Sequence, residues 1–135
     1  MALLVDTSVW SLAFRRDRPA DTPEVLALAE ALAGSETVFA TGVILLELLQ
    51  GFVPPRVQQV LEEQFAGMHL IEPTREDYIG AAQLGRTCRK AGVQIGVVDS
   101  LIAHLAITHD LMLLTADRDF AHAAKHVPLR LWTPA

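Results

Sequence analysis

LLVDTS, residues 3–8, is the stretch that most directly indicates the fold class. Its first part, Leu3 to Val5, is apolar throughout, as is typical of a strand buried in a parallel sheet. The apolar spacing from Val9 to Phe14 predicts a short helix directly after that strand. A buried strand followed by a helix is the first half of a βαβ unit, and this order predicts an α/β fold.

The same alternation continues along the rest of the chain, where short apolar runs alternate with helical patterns. We expect strands at 3–5, 37–40, 69–71, 111–114 and 129–131, and helices at 9–14, 22–34, 42–50, 54–67, 74–91, 97–109 and 118–125. These elements predict a three-layer α/β/α sandwich with a central parallel sheet of about five strands, in one domain spanning residues 1–135. The strand order 3-2-1-4-5 would make strands 1 and 4 neighbours.

Local signals support several helix boundaries. Asp21 or Thr22 is a candidate N-cap before Pro23, and residues 74–77 resemble a capping box. Thr41 is a candidate cap for the helix that starts at residue 42. Three glycines are predicted to end helices: Gly34, Gly51 and Gly92.

Composition limits the class of protein. Of the 135 residues, 51% are hydrophobic, but no apolar run approaches the length of a membrane span. The first residues show no signal-peptide pattern, and Cys88 is the only cysteine, so we expect a protein of the reducing cytoplasm. The net charge of −5 disfavours nucleic-acid binding through bulk positive charge, yet it is compatible with phosphates neutralised by bound metal ions.

Carboxylates occupy positions where the pattern calls for apolar residues. Each of four acids stands within or directly after an apolar run: Asp6, Glu47, Asp99 and Asp117. Burying an unpaired carboxylate costs several kcal/mol, so such groups pair, bind metal or become protonated. The basic residues lie mostly in polar segments, which makes a divalent cation the simplest counter-charge.

The predicted topology brings these acids to one place. Asp6 and Asp117 each follow a strand, and ligands of open parallel sheets bind at the carboxyl ends of the strands. Glu47 and Asp99 lie in crossover helices that would lean over the same crevice. Hard oxygen ligands favour Mg²⁺ or Mn²⁺ over Zn²⁺, and such ions suit phosphodiester hydrolysis without a side-chain nucleophile.

Each acid also has a structural explanation. Asp6 and Asp99 are candidate N-caps, and Glu47 is a candidate for a solvent-facing position. Asp117 is expected to cap its helix whatever else it does, and Asp119 falls in the first turn, where the helix dipole favours an acid. Each structural explanation is plausible for one acid, but it is much less plausible that all four acids occupy these positions for structural reasons alone.

Other reactive side chains are expected to be structural. His104 is predicted to be a satisfied core or interface residue, and Cys88 a small core residue. His122 and His126 are predicted to be surface residues near the C-terminus. Trp10 and Phe14 are at helical spacing and are predicted to belong to the core or to a partner contact. A set of large apolar residues exceeds what a small sheet covers and predicts an association surface: Trp10, Phe14, Leu45, Leu49, Phe52 and Val53.

The acid-bearing segments resemble the four motifs of PIN domains. They are LVDTS at 4–8, LELLQG at 46–51, VDSLIA at 98–103 and LTADRDF at 114–120. Their order and spacing extend over nearly the whole chain, and the resemblance is strongest to VapC-type toxins of VapBC toxin–antitoxin pairs. Each motif alone is weak, whereas four in order on an α/β pattern are specific.

This resemblance implies a Mg²⁺- or Mn²⁺-dependent endoribonuclease, a homodimer, that a cognate antitoxin protein inhibits. The implied metal-binding and catalytic residues are Asp6, Glu47, Asp99 and Asp117. Asp119 is an outer ligand through water or a replacement for Asp117, with Ser8 and Thr115 as supporting residues. A basic patch is either a solvated face or a contact for RNA phosphates: Arg15, Arg16 and Arg18.

Two other functions are weighed against this one. A Rossmann-like phosphohydrolase would use Asp6 as a covalent nucleophile, but such enzymes generally carry a second acid where this chain has Ser8. A non-catalytic interaction module would have no reason to keep four costly carboxylates.

Overall fold

The structure is a computed structural model that describes residues 2–15, 18–51 and 53–134. Four strands form the sheet: β1 (Ala2–Val5), β2 (Thr37–Thr41), β3 (His69–Ile71) and β4 (Met112–Leu114). Seven α-helices accompany them: α1 (Thr7–Phe14), α2 (Pro23–Glu30), α3 (Gly42–Leu49), α4 (Pro55–Ala66), α5 (Arg75–Lys90), α6 (Val97–Thr108) and α7 (Arg118–Ala123). A π-helical segment (Ala31–Ser35) extends α2 and ends where Gly34 adopts a φ of 114°.

The sheet is parallel throughout, with the strand order β3-β2-β1-β4. Leu4 of β1 pairs with Phe39 on one side and with Leu113 on the other. The α/β class, the parallel sheet and the predicted order of the first four strands are therefore confirmed. The carboxyl ends of β1 and β4 lie side by side.

The fifth predicted strand, at 129–131, is reduced to a single parallel bridge between Leu113 and Leu131. Backbone bonds from Leu113 to Arg130 and from Trp132 to Leu113, both 2.9 Å, flank that bridge. Prolines at 128 and 134 limit the segment, because proline has no N–H to donate to a strand ladder. Within the described residues the sheet therefore has four strands rather than five.

The core lies on both faces of β1 and β4, whose Leu4, Val5 and Leu114 are fully buried. Trp10 is also fully buried, with its ring centroid 4.8 Å from that of Phe65. The prediction of an association surface at Trp10 is therefore wrong, since this large ring fills the space between α1 and α4. Of the other residues predicted there, Phe14, Leu45, Leu49 and Val53 are half-buried, and Phe52 lies outside the described residues.

Large apolar side chains are exposed at a different place. Val97 at the start of α6 is 86% exposed, and Leu46 in α3 is 62% exposed. Val97 and Tyr78 also line a cleft of about 630 Å³ between α5, α6 and the first turn of α3, which we call the α5–α6 cleft. None of the helices in the described part of the chain is both long and apolar enough to cross a membrane.

The helix caps follow the sequence signals with one exception. Thr22 caps α2, and Thr74 forms a complete capping box with Asp77 at the start of α5. Thr41 is the N-cap residue of α3, but its hydroxyl accepts no capping hydrogen bond and instead donates a 2.8 Å hydrogen bond to the carbonyl of Ile71. This bond ties the end of β2 to β3 instead.

Helices α5 and α6 pack closely, and a buried polar contact joins them. Nε2 of His104 lies 3.0 Å from Oδ1 of Asp77, which is 8% exposed. Hydrogen bonding to the backbone of Thr74, and then to His104, lowers the pKa of Asp77. Gly80 makes the approach possible, since a Cβ there would lie 2.3 Å from the imidazole. Of the two roles predicted for His104, the structure shows the satisfied core residue, and this packing supports the helix that carries Asp99 at its other end.

Candidate active site

Asp6 lies at the carboxyl end of β1 and is only 4% exposed. Its Oδ2 accepts hydrogen bonds from the hydroxyls of Ser8 at 2.7 Å and Thr115 at 2.9 Å. The backbone N–H of Ser8 donates to the same oxygen at 3.4 Å, so Asp6 also caps α1. Asp6 is therefore a helix cap, as its structural explanation predicted, and it can still take part in the acidic site. Its other oxygen, Oδ1, takes no part in these bonds.

The two hydroxyls that hold Asp6 are themselves held by the loop after β4. Oγ of Ser8 accepts from the backbone N–H of Ala116 at 3.0 Å. Oγ1 of Thr115 accepts from the backbone N–H of Asp117, also at 3.0 Å. Both hydroxyls therefore use their proton on Asp6 and their lone pairs on the loop, which locks the β1–α1 and β4–α7 connections together.

Glu47 lies in α3 and is half-buried rather than projecting freely into solvent. Its Oε1 accepts a 2.6 Å hydrogen bond from the hydroxyl of Thr7, the first residue of α1. This contact fixes one carboxylate oxygen across a gap of 40 residues in sequence. No local sequence pattern identifies a hydrogen bond between residues so far apart, so the sequence alone did not predict this role of Thr7.

Asp99 lies in the first turn of α6, where Gly96 is the N-cap. The alternative that Asp99 is merely an N-cap is therefore wrong. Burial, and after it the negative charges of four acids, together raise the pKa of Asp99 from 3.8 to about 7; these acids are Asp6, Asp117, Glu47 and Asp119. A carboxyl that four other acids perturb is the electrostatic centre of the group.

Asp117 and Asp119 complete the group from the loop that follows β4. Asp99, Asp117 and Asp119 each offer one carboxylate oxygen, and these oxygens lie within 4.8 Å of one another. Oδ1 of Asp117 accepts a 2.9 Å hydrogen bond from the backbone N–H of Asp119, so Asp117 caps α7 as expected. Asp119 is the most exposed of the three.

This arrangement fits a divalent cation. Nearby carboxylates repel one another when ionised, and this repulsion adds to burial in raising the pKa of Asp99. Three oxygen ligands at close range, without cysteine or histidine among them, match the preference of Mg²⁺ and Mn²⁺. A bound ion would remove the repulsion and hold the acids in place.

The remaining candidates do not belong to this group. His104 is paired with Asp77, and Cys88 is fully buried, which raises the pKa of its thiol. Arg15 and Arg18 are exposed, while Arg16 of the predicted basic patch lies outside the described residues. His122 is exposed but shares a small recess with Asp119, a proximity that sequence reasoning missed.

Comparison with known proteins gives a family match. A family model described as the PIN domain matches residues 3–126, which is most of the chain. None of the curated proteins compared with the chain matches it.

Solved structures share the fold over almost their whole length. FitAcB from Neisseria gonorrhoeae is 24% identical, with 97% of this chain and 96% of that chain covered at a TM-score of 0.67. VapBC2 from Rickettsia felis, bound to a DNA fragment from its promoter, is 21% identical, with 98% of both chains covered and a TM-score of 0.72. VapBC-1 from nontypeable Haemophilus influenzae is 16% identical, with 98% and 97% covered and a TM-score of 0.69.

Proposed function

Since the chain belongs to the PIN domain family, we propose that it is a Mg²⁺- or Mn²⁺-dependent endoribonuclease and the toxin of a type II toxin–antitoxin pair. Members of this family are generally nucleases. The observation that carries the proposal is the close approach of Asp99, Asp117 and Asp119, whose carboxylate oxygens lie within 4.8 Å of one another. Acids at such short range are costly to a protein that has no cation to bind.

In this proposal Asp6, Glu47, Asp99 and Asp117 hold the metal and serve as the catalytic residues. Asp119 is a further ligand, direct or through water, because it is the most exposed of the close group. A bound ion of this type supplies activation of water and stabilisation of the negative charge that builds up on the phosphate. Ser8 and Thr115 orient Asp6, and Thr7 orients Glu47, through the hydrogen bonds described above.

The surroundings of Asp6 argue against the phosphohydrolase alternative. Such an enzyme generally carries a second acid two residues after the nucleophile, whereas here Ser8 stands at that position and its hydroxyl donates to Oδ2 of Asp6, a side chain that is 4% exposed. A carboxylate held in this way is better suited to orienting a metal than to attacking phosphorus.

RNA is the substrate that we assign to the site. The chain has a net charge of −5, so bulk attraction to a polyanion is not its means of binding. Bound cations at the acids would neutralise the phosphate at the point of cleavage only. Local neutralisation of this kind favours single-stranded RNA, which can present one phosphate to the site, over a substrate that must be held along an extended basic surface.

The antitoxin partner is inferred from the structural neighbours, several of which are VapBC or FitAB assemblies matched over nearly their whole length. An antitoxin that inhibits this chain would place an arginine or lysine beside Asp6, Glu47 and Asp99, where it would replace the cation. We place the pair in the cytoplasm, in agreement with the single, buried and free Cys88.

A homodimer is part of the same proposal. Val97 is 86% exposed and lies two residues before Asp99 in the sequence. Leu46 is 62% exposed and directly precedes Glu47. Apolar side chains so exposed usually mark an interface. A second copy of the chain on this face would cover the α5–α6 cleft and bring two acidic sites into one assembly.

The test is cleavage of single-stranded RNA by the purified chain with Mn²⁺, with Mg²⁺ and with EDTA. We expect internal cleavage with either metal and none with EDTA. The toxin assignment is tested separately by growth arrest on expression, relieved by the small protein encoded next to this chain. Cleavage that persists in EDTA would contradict the metal assignment.

A further inference from the structure

A small recess opens beside the acids, on the side of Asp119. It has a volume of about 260 Å³ and is lined by the loop after α5 and by one face of α7: Gly92, Val93, Gln94, Asp119 and His122. Asp119 and His122 are three residues apart in α7 and so share a face of that helix. Asp119 therefore belongs both to the acidic group and to the wall of the recess.

The loop that carries Gln94 is fixed by its backbone. Gly92 has a φ of 83° and donates its N–H to the carbonyl of Arg89 at 3.0 Å. Val93 donates to Cys88 at 2.9 Å, and the two bonds together form a Schellman motif at the end of α5. Gln94 follows directly, so its backbone is held in position before any ligand arrives.

The polar groups of the recess are free to bind. Within the described residues, neither the Gln94 amide nor the His122 imidazole has a hydrogen-bond partner, and both side chains are exposed. Among the described residues that line the recess none is lysine or arginine, and Asp119 contributes a negative charge. A phosphate is therefore disfavoured here, whereas a neutral group with hydrogen-bonding edges is favoured.

We propose that this recess is a base-binding subsite, in which Gln94 and His122 select the nucleotide next to the cleaved phosphate. This inference rests on the proposed function, because it takes RNA as the substrate. Proteins recognise unpaired RNA bases by stacking on flat side chains such as histidine and by hydrogen bonds to the base edge, for which a glutamine amide offers both donor and acceptor. Pockets for whole small molecules measure about 300–1,000 Å³, so the recess suits a single base.

The test compares two recess variants, Gln94→Leu and His122→Ala, with matched controls on the surface, Gln83→Leu and His126→Ala. Each protein cleaves a pool of single-stranded RNA oligonucleotides of randomised sequence with Mn²⁺, and the cleaved positions are mapped by sequencing. We expect the parent to prefer certain bases at one position beside the cut. That preference should fall about tenfold in both recess variants and persist in both controls.

Mn²⁺ affinity, measured by calorimetry, should be the same in all five proteins, because every acid is retained. Identical cleavage maps for the parent and both recess variants would overturn the subsite while leaving the ribonuclease proposal intact. Loss of Mn²⁺ affinity in a recess variant would also overturn the base-binding subsite, since the substituted side chain would then act by supporting the acids that bind the metal. A parent without metal-dependent cleavage would defeat the proposed function, and this inference with it.

Discussion

The hydroxyl of Thr7 donates a 2.6 Å hydrogen bond to Oε1 of Glu47 and so joins the start of α1 to α3. Thr7 follows Asp6 directly, which means that one short segment holds two acids of the site. Asp6 is held by its own cap and by two hydroxyls, whereas Glu47 depends on Thr7. The orientation of Glu47 is therefore the more sensitive of the two to a single substitution.

Thr7→Val tests this dependence, because valine keeps the shape of threonine but cannot donate a hydrogen bond. Loss of residues that orient metal ligands typically costs about 10–100-fold in metal affinity or activity, and we expect a loss in that range. Steady-state RNA cleavage and Mn²⁺ titration measure it. Thr87→Val is the control, since Thr87 is exposed and donates only to the carbonyl of Gln83. Equal losses in both variants would contradict a specific role for Thr7.

The acidic site was largely predictable because charges interrupt apolar runs. Asp6, Glu47, Asp99 and Asp117 are visible in the sequence as acids where a buried strand or helix face is expected. The order of β1 and β4 follows from the alternation of strands and helices, and it explains why the segments that carry Asp6 and Asp117 lie side by side.

What was not predictable depends on contacts between distant residues. The sequence left Trp10 open between the core and a partner contact, because nothing local reveals that Phe65 of α4 packs against it. Thr41 is a residue type that caps helices, but its hydroxyl donates to the carbonyl of Ile71 on the neighbouring strand, a contact that local sequence does not reveal. The recess at His122 forms only when α7 and the loop after α5 come together.

Metal should stabilise the fold. Ionised acids around Asp99 repel one another, and a cation bound only by the folded chain adds a free energy of unfolding of about 2.7 kcal/mol at a hundred times its Kd. We expect the Tm to rise progressively with Mn²⁺ or Mg²⁺ in differential scanning calorimetry. An Asp99→Asn, Asp117→Asn double variant should lose this response. Absence of any binding at millimolar Mn²⁺ would remove the basis for the site.

The pKa of Asp99 predicts how stability and metal binding depend on pH. Because this pKa is raised from 3.8 to about 7, the metal-free folded state holds a proton that the unfolded state has released between these values. The stability of the metal-free protein should therefore decrease as pH rises from about 4 to about 7. Metal affinity should increase over the upper part of the same window, because the ion must displace that proton.

Urea unfolding in EDTA across this pH range measures the first effect, and calorimetric titration measures the second. Asp99→Asn should remove the contribution of this residue to both. Asp77 affects stability in the opposite direction, because its pKa is lowered in the folded state. Its contribution to the free energy of unfolding is present above pH 3.8 and is lost as the pH falls through its pKa in the folded state. A metal affinity that is constant from pH 5 to 8 would be inconsistent with a proton on Asp99.

Association should depend on the face around the α5–α6 cleft. Val97→Glu places a charge on the most exposed large apolar residue, 86% exposed, and should produce a monomer in size-exclusion chromatography with light scattering. Val60→Glu, at a valine of α4 that is 42% exposed, is the matched control and should leave the dimer intact. If the parent is strictly monomeric at tens of micromolar, the proposed homodimer is wrong.

If these carboxylates hold the metal that supports RNA cleavage, replacing Asp99 with asparagine should abolish most of the activity. Asparagine keeps the size of aspartate but removes the charge on which the metal depends. With Mn²⁺ at saturation for the parent, we predict that the rate of RNA cleavage falls at least about a hundredfold, while circular dichroism shows an unchanged fold. Asp21→Asn, at an exposed acid before α2, should cleave at the parent rate. Equal cleavage by the Asp99→Asn variant and the parent would contradict the account.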